Sequence, residues 1–237
     1  MKCMIGGIGD IFLSLERAQK EKECAVYSHF PRAKQFVESF GIEVPIFNYF
    51  DSIDNMPRSF SEEIVGYDYF PKIGVQKGRQ LLGKSDKPII GIHPFGSKLS
   101  NDYWKKRGMP IKHISQENIR YLVDKFSDRF DFVIFGSKSE LCSYNIEGTY
   151  NINLPIEDIP SAVSECFCVI ATDSAIKTMS AAMRIPTFVA IGNYPDPLRD
   201  QKFLIPYIQM GVMKVGAYSH EQEQSIFKDA SKWINSL

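Results

Sequence analysis

Short runs of β-branched and aromatic residues alternate along the chain with longer stretches in which apolar residues recur at helical spacing. That rhythm belongs to a parallel sheet covered on both faces by helices, and it predicts an α/β protein. In the first part it predicts strands at 1–5, 24–28 and 44–47, with helices over 10–20 and 32–40. A stretch rich in Gly, Lys and Ser, 77–88, then separates a second and more regular series. That series reads as strand 89–93, helix 116–126, strand 132–135, helix 138–145, strand 150–153, helix 159–165, strand 168–171, helix 174–184, strand 187–191 and a final amphipathic helix over 221–234. Two units follow from this division, one over 1–84 and one over 85–237.

Composition narrows the class. With 237 residues, 44% of them hydrophobic, the chain can bury a full core. Lys+Arg and Asp+Glu are both 28, so no global field draws the protein to nucleic acid or to an anionic membrane. The five cysteines (Cys3, Cys24, Cys142, Cys166, Cys168) are odd in number and lie mostly in apolar runs. They read as reduced core residues, with Cys166 and Cys168 expected on one face of a strand and no ligand spacing for zinc. No stretch reaches the roughly 20 apolar residues of a membrane span and the first ten residues carry no export signal, so the expected location is cytoplasmic.

Four segments carry candidate chemistry. Gly6-Gly7-Ile8-Gly9-Asp10 follows an apolar strand and opens a helix, where backbone N–H groups can approach an anion or a sugar. It departs from a dinucleotide fingerprint, because Phe12 stands at the third glycine position and His29 ends the next strand where an acid would hold a ribose. Asp10 itself has two readings, a site carboxylate or an acidic residue that stabilises the first turn of a helix. His93-Pro94-Phe95-Gly96-Ser97-Lys98-Leu99-Ser100 runs from a buried strand into a polar turn, and Ser97, Lys98 and Ser100 supply donors suited to a diphosphate. His93 is left as a strand-end histidine. In Gly136-Ser137-Lys138-Ser139-Glu140, Glu140 either closes a capping box with Ser137 or recognises a ribose or base. Asp173-Ser174 stands at the mouth of an apolar strand, before a helix whose Ala181 and Ala182 allow close approach to the sheet. The pair either caps that helix or meets a ligand.

Taken in order, these segments resemble the ADP-heptose:lipopolysaccharide heptosyltransferases of glycosyltransferase family 9. Gly9-Asp10 looks like the family's N-terminal Gly-Asp loop and His93 to Ser97 like its His-Pro-Gly-Ala-Ser turn. Gly136 to Glu140 is similar to its glycine loop ending in Glu, and Asp173-Ser174 to its Asp-Ser-Gly helix start. The resemblance implies a GT-B fold of two Rossmann-like domains with parallel sheets, the first a reduced acceptor-side domain and the second the nucleotide-sugar domain, its last helix crossing back to the first.

It also implies an inverting glycosyltransferase that moves a sugar from a nucleotide-diphosphate sugar to an acceptor hydroxyl. Asp10 would be the general base, Ser97, Lys98 and Ser100 would hold the leaving diphosphate, Glu140 the nucleoside, and Gly9, Asp173 and Ser174 would complete the donor site. No visible motif calls for a metal or another cofactor. The chain departs from the pattern at Asp102, which stands before Trp104 where the family has Lys, at Ala175, which replaces a glycine, and at Thr178, which replaces a histidine.

Other functional classes stay open on these residues: a non-catalytic nucleotide-binding module, or an enzyme of another class on a similar fold, such as an epimerase. The acceptor is equally open among lipopolysaccharide core, a small glycan, a protein, or modified DNA bases of the kind some phage glycosyltransferases use. The cations Lys98, Lys105, Lys106 and Arg107 beside the polar turn are the residues that would meet DNA.

Overall fold

In the computed structural model, the residues described are 1–51, 65, 66, 68, 70, 80–83, 85–96, 113–192, 204–218 and 223–237. They form two parallel sheets. The smaller is built from β1 (Cys3–Gly6), β2 (Ala25–Ser28) and β3 (Phe47–Tyr49), joined through helices α1 (Ile8–Glu21) and α2 (Ala33–Glu38). The third strand starts later than the expected 44–47. Pro45 has no N–H to give to a ladder, so regular pairing with β2 begins only after it, and Val44 is buried as core instead.

The larger sheet holds β4 (Ile89–His93), β5 (Asp131–Phe135), β6 (Thr149–Ile152), β7 (Cys168–Thr172), β8 (Thr187–Gly192) and β9 (Met213–Tyr218). Its helices are α3 (Gln116–Phe126), α4 (Lys138–Leu141), α5 (Ile159–Ser164), α6 (Ala175–Ala182), α7 (Ile205–Gln209) and α8 (Glu223–Ile234). The strands lie in the order β6-β5-β4-β7-β8-β9, all parallel. Sequence order runs outward from β4 to one edge, returns to β7 beside β4, and runs outward to the other edge. The order thus reverses between β4 and β7, and open α/β sheets take ligands in the crevice beyond the C-terminal ends of the strands at such a reversal.

Period-two alternation divides this sheet into two apolar layers. Ile90, Ile92, Phe132, Ile134, Cys168 and Ile170 face α3 and α8. Ile89, Val133, Phe135, Val169, Ala171 and Val189 face α5 and α6. The second layer does not stop at α6. It continues through Ile11, Phe12 and Leu15 of α1 to Val26 of β2 and Phe36 of α2, so one apolar cluster joins the two sheets. Each such side chain removed from water contributes about 1.5–3 kcal/mol before entropy is counted, which is why α1 is held so firmly against the larger sheet's helices.

In the final helix Ile226, Phe227, Ala230 and Ile234 fill the layer shared with α3 and the larger sheet, and the ring of Trp233 lies 5.6 Å from that of Phe188. One expectation is corrected here. Cys166 and Cys168 do not share a face. Cys166 sits in the turn before β7 and packs in the layer toward α5, whereas Cys168, within the strand, points to the layer under α3. Burial pushes both thiols up, that of Cys168 to about 12. Among the described residues no helix is long and apolar enough to cross a membrane.

Candidate functional site

The turn between β1 and α1 is shaped by three contacts. Gly6 has φ of +120°, a backbone state that only glycine adopts without strain, and a Cβ there would stand 2.6 Å from Asp10 Oδ2. The Gly7 N–H donates to that same oxygen at 2.9 Å, so the Asp10 carboxylate is anchored over the helix N-terminus, where the helix dipole favours a negative charge. Gly7 is also overlaid by the His29 ring, whose Cε1 would lie 3.1 Å from a Cβ at Gly7. His29 follows β2 and stacks obliquely on Phe50, with ring centroids 5.6 Å apart. Its pKa is lowered, chiefly by burial, and the charge of Asp10 acts in the opposite direction.

Gly9 brings the turn to the larger sheet. It is buried, and a Cβ on it would come within 3.1 Å of Thr178 Oγ1 and 3.3 Å of the Ala175 Cα. The two positions at which the chain departs from the family's Asp-Ser-Gly motif, Ala175 and Thr178, are therefore the ones that receive α1. Small side chains on both helices let them meet almost backbone to backbone. This contact carries Asp10 to the same end of the molecule as the start of α6.

At the tip of β7, Ser174 is the N-cap of α6, its Oγ accepting from Lys177 N at 3.5 Å. Asp173 Oδ1 accepts a hydrogen bond from Lys177 Nζ at 2.6 Å. The Lys177 side chain is only 2% exposed and that of Asp173 14%, so this is an ion pair held largely out of water. Lys177 was absent from the sequence-based set. The four-residue spacing of Asp173 and Lys177 was the available signal, since side chains four apart on a helix share a face.

Across the reversal, β4 ends at His93, which pairs in register with Ala171 of β7. The chain continues through Pro94, Phe95 and Gly96, and Ser97, Lys98 and Ser100, with Asp102, lie outside the described residues. Phe95 is fixed by an isolated bridge to His113 and by an edge-on contact with Tyr144, ring centroids 4.8 Å apart. Tyr144 donates to the Ile114 carbonyl at 2.8 Å. A cavity of about 390 Å³ lined by His113, Ser115, Gln116, Glu117 and Arg120 opens beside this turn.

Glu140 closes a capping box on α4. Its Oε2 accepts from Ser137 N at 2.8 Å and from Ser137 Oγ at 2.6 Å, and its own N–H donates to Ser137 Oγ at 3.4 Å. The helix is shorter than the expected 138–145 because Tyr144 turns inward to bond the Ile114 carbonyl.

The structure thus brings Gly9, Asp10, Asp173 and Ser174 to the contact between α1 and α6, sets His93 at the neighbouring strand tip, and commits one oxygen of Glu140 to a cap. A larger cavity, about 660 Å³, lies at the opposite edge of the big sheet, where Gln80, Lys87 and Phe167 are among its lining residues. Beside it both Glu165 oxygens accept from Leu81 N and Leu82 N at 2.8 and 3.2 Å, which ties the segment before β4 to the sheet.

The sequence matches no family model and no curated protein. Solved structures do resemble the fold. The ADP-heptose lipopolysaccharide heptosyltransferase II of E. coli superposes with a TM-score of 0.60 at 14% identity, covering 98% of each chain. A glycosyltransferase family 9 protein from Veillonella parvula gives 0.52 at 12% identity, covering 98% of this chain and 89% of its own. With two parallel sheets and a strand order that reverses between β4 and β7, the chain shares the GT-B-like fold of these two structures.

Proposed function

We propose that this protein is an inverting glycosyltransferase that moves a sugar from a nucleotide-diphosphate sugar to an acceptor hydroxyl. The observation that carries the reading is the packing of Gly9 on Ala175 and Thr178, which sets the Asp10 turn beside the helix start at Asp173 and Ser174. In this reading the donor lies beyond the tips of β4 and β7, its diphosphate met by the α6 N-terminus and by Ser97, Lys98 and Ser100. The acceptor oxygen attacks the anomeric carbon from the face opposite the diphosphate. Its proton passes to the Asp10 carboxylate, the bond from the anomeric carbon to the phosphate oxygen breaks, and the electron pair leaves with the nucleoside diphosphate. The bond from Gly7 N–H fixes the carboxylate in one rotamer, and positioning of this kind is what a general base requires.

The test is nucleoside diphosphate release from a panel of nucleotide sugars, with and without acceptor glycans. Asp10→Asn is the informative variant, because its amide oxygen can still accept from Gly7 and keep the cap while the base is lost. We expect wild type to turn over one donor and Asp10→Asn to be slower by about 10²–10⁴-fold. Release from no donor, or equal rates in the two proteins, contradicts the reading. A second reading, a non-catalytic nucleotide-binding module, is favoured by the use of Asp10 Oδ2 as a helix cap; tight nucleotide binding without turnover of any donor would select it.

A further inference from the structure

Among the described residues, His93 at the sheet reversal has unspent hydrogen-bonding capacity. It closes β4, and the alternation of that strand carries it to the side of Ile89 and Gly91, the layer shared with α6 and α1. Its Nδ1 is buried and has no hydrogen-bond partner among the described residues. Phe95 meets the ring edge-on at 5.9 Å, and the charge of Glu140 acts on it. Burial pushes the imidazole down to about 4, so it is neutral near pH 7 and can accept or donate through Nδ1 according to its tautomer. Folded proteins seldom leave a buried polar atom unmet without a use for it. Ser231, whose Oγ is also unmet, sits on α8 away from the strand tips and has no comparable position. Glu140, the residue expected to hold the nucleoside, already uses Oε2 on Ser137.

We infer that His93 is a donor-binding residue whose Nδ1 hydrogen-bonds the nucleoside diphosphate part of the donor, an inference that rests on the nucleotide-sugar reading above. The bond gives the buried Nδ1 at the β4 tip a partner that the described residues do not supply. A buried nitrogen left without a partner is costly, so a ligand that supplies one gains affinity from the bond.

Calorimetry on the whole chain with ADP, GDP, UDP and CDP in turn tests it, together with thermal unfolding of each variant without nucleotide. His93→Leu removes the orphaned nitrogen, so it is expected to unfold at the wild-type temperature or above, yet to bind the preferred nucleotide at least about ten-fold more weakly. His93→Asn keeps a polar atom near the Nδ1 position and is expected to retain most of the affinity. Equal affinity of wild type and His93→Leu overturns the inference and leaves the nucleotide-sugar reading intact. So does a His93→Leu protein that is destabilised or fails to fold, since the nitrogen would then have been serving the fold. His93→Asn binding as weakly as His93→Leu assigns the loss to ring packing and also overturns it. Failure of wild type to bind any of the four nucleotides overturns both.

Discussion

Asp10 and His29 both approach Gly7, and their electrostatic coupling is measurable without any substrate. Burial lowers the His29 pKa while the Asp10 charge partly offsets it. The sign follows directly. Removing the negative charge in Asp10→Asn takes away an attraction that favours the imidazolium, so His29 should titrate at still lower pH in that variant. Following the His29 ring protons by NMR across a pH titration reads this, and a His29 midpoint that is unmoved, or that rises, would mean the carboxylate points away from the ring. The same two residues illustrate what one chain can and cannot announce. Asp10 was legible as a candidate because a glycine turn precedes it, yet its anchoring to Gly7 and its neighbour His29 were not, since they depend on a positive φ at Gly6 and on the register of β1 with β2.

At the scale of the elements, α6 holds the most buried ion pair among the described residues. Lys177 is almost fully buried and its ammonium is matched by Asp173 one turn earlier. Burying an ammonium is costly unless a partner stays with it, so the pair is worth most when it is broken on one side only. Lys177→Met should lower stability in a denaturant titration by about 3 kcal/mol, because it leaves Asp173 without this counter-charge; adding Asp173→Asn should return a good part of that loss. Additive losses in the double variant would show that the two do not act as a pair. Elements with strong periodicity were read closely from the sequence, β4 and α3 to the residue and β5, β7 and β8 within one, because each is a continuous apolar run or a clear amphipathic stripe. The strand β9 was missed. Its alternation is interrupted by Gly216, which is glycine because a Cβ would press on Phe188 and Ile226, a tertiary reason that local propensity does not carry.

For the whole molecule, the fold class and the order of the motifs were readable, whereas the meeting of the two sheets was not. Residues with short side chains such as Gly9, Ala175 and Thr178 say only that something approaches closely; which helix does so is decided by the packing of α1 on α6. That contact underlies the choice between the two edges of the larger sheet. The C-terminal edge has His93, Asp173, Ser174 and, across the contact, Asp10, while the opposite edge has the larger cavity of about 660 Å³, with Gln80, Lys87 and Glu165 among its lining residues. Size favours one edge and chemistry the other. Chemistry decides here, because the larger cavity's Glu165 is already bonded to the backbone of Leu81 and Leu82, and because ligands of doubly wound sheets bind where the strand order reverses. A crystal structure of the protein with its preferred nucleoside diphosphate measures this directly. The account predicts density for the diphosphate beyond the tips of β4 and β7, against Ser174 and within hydrogen-bond reach of His93; density instead beside Lys87 and Phe167, at the far ends of the same strands, would contradict it.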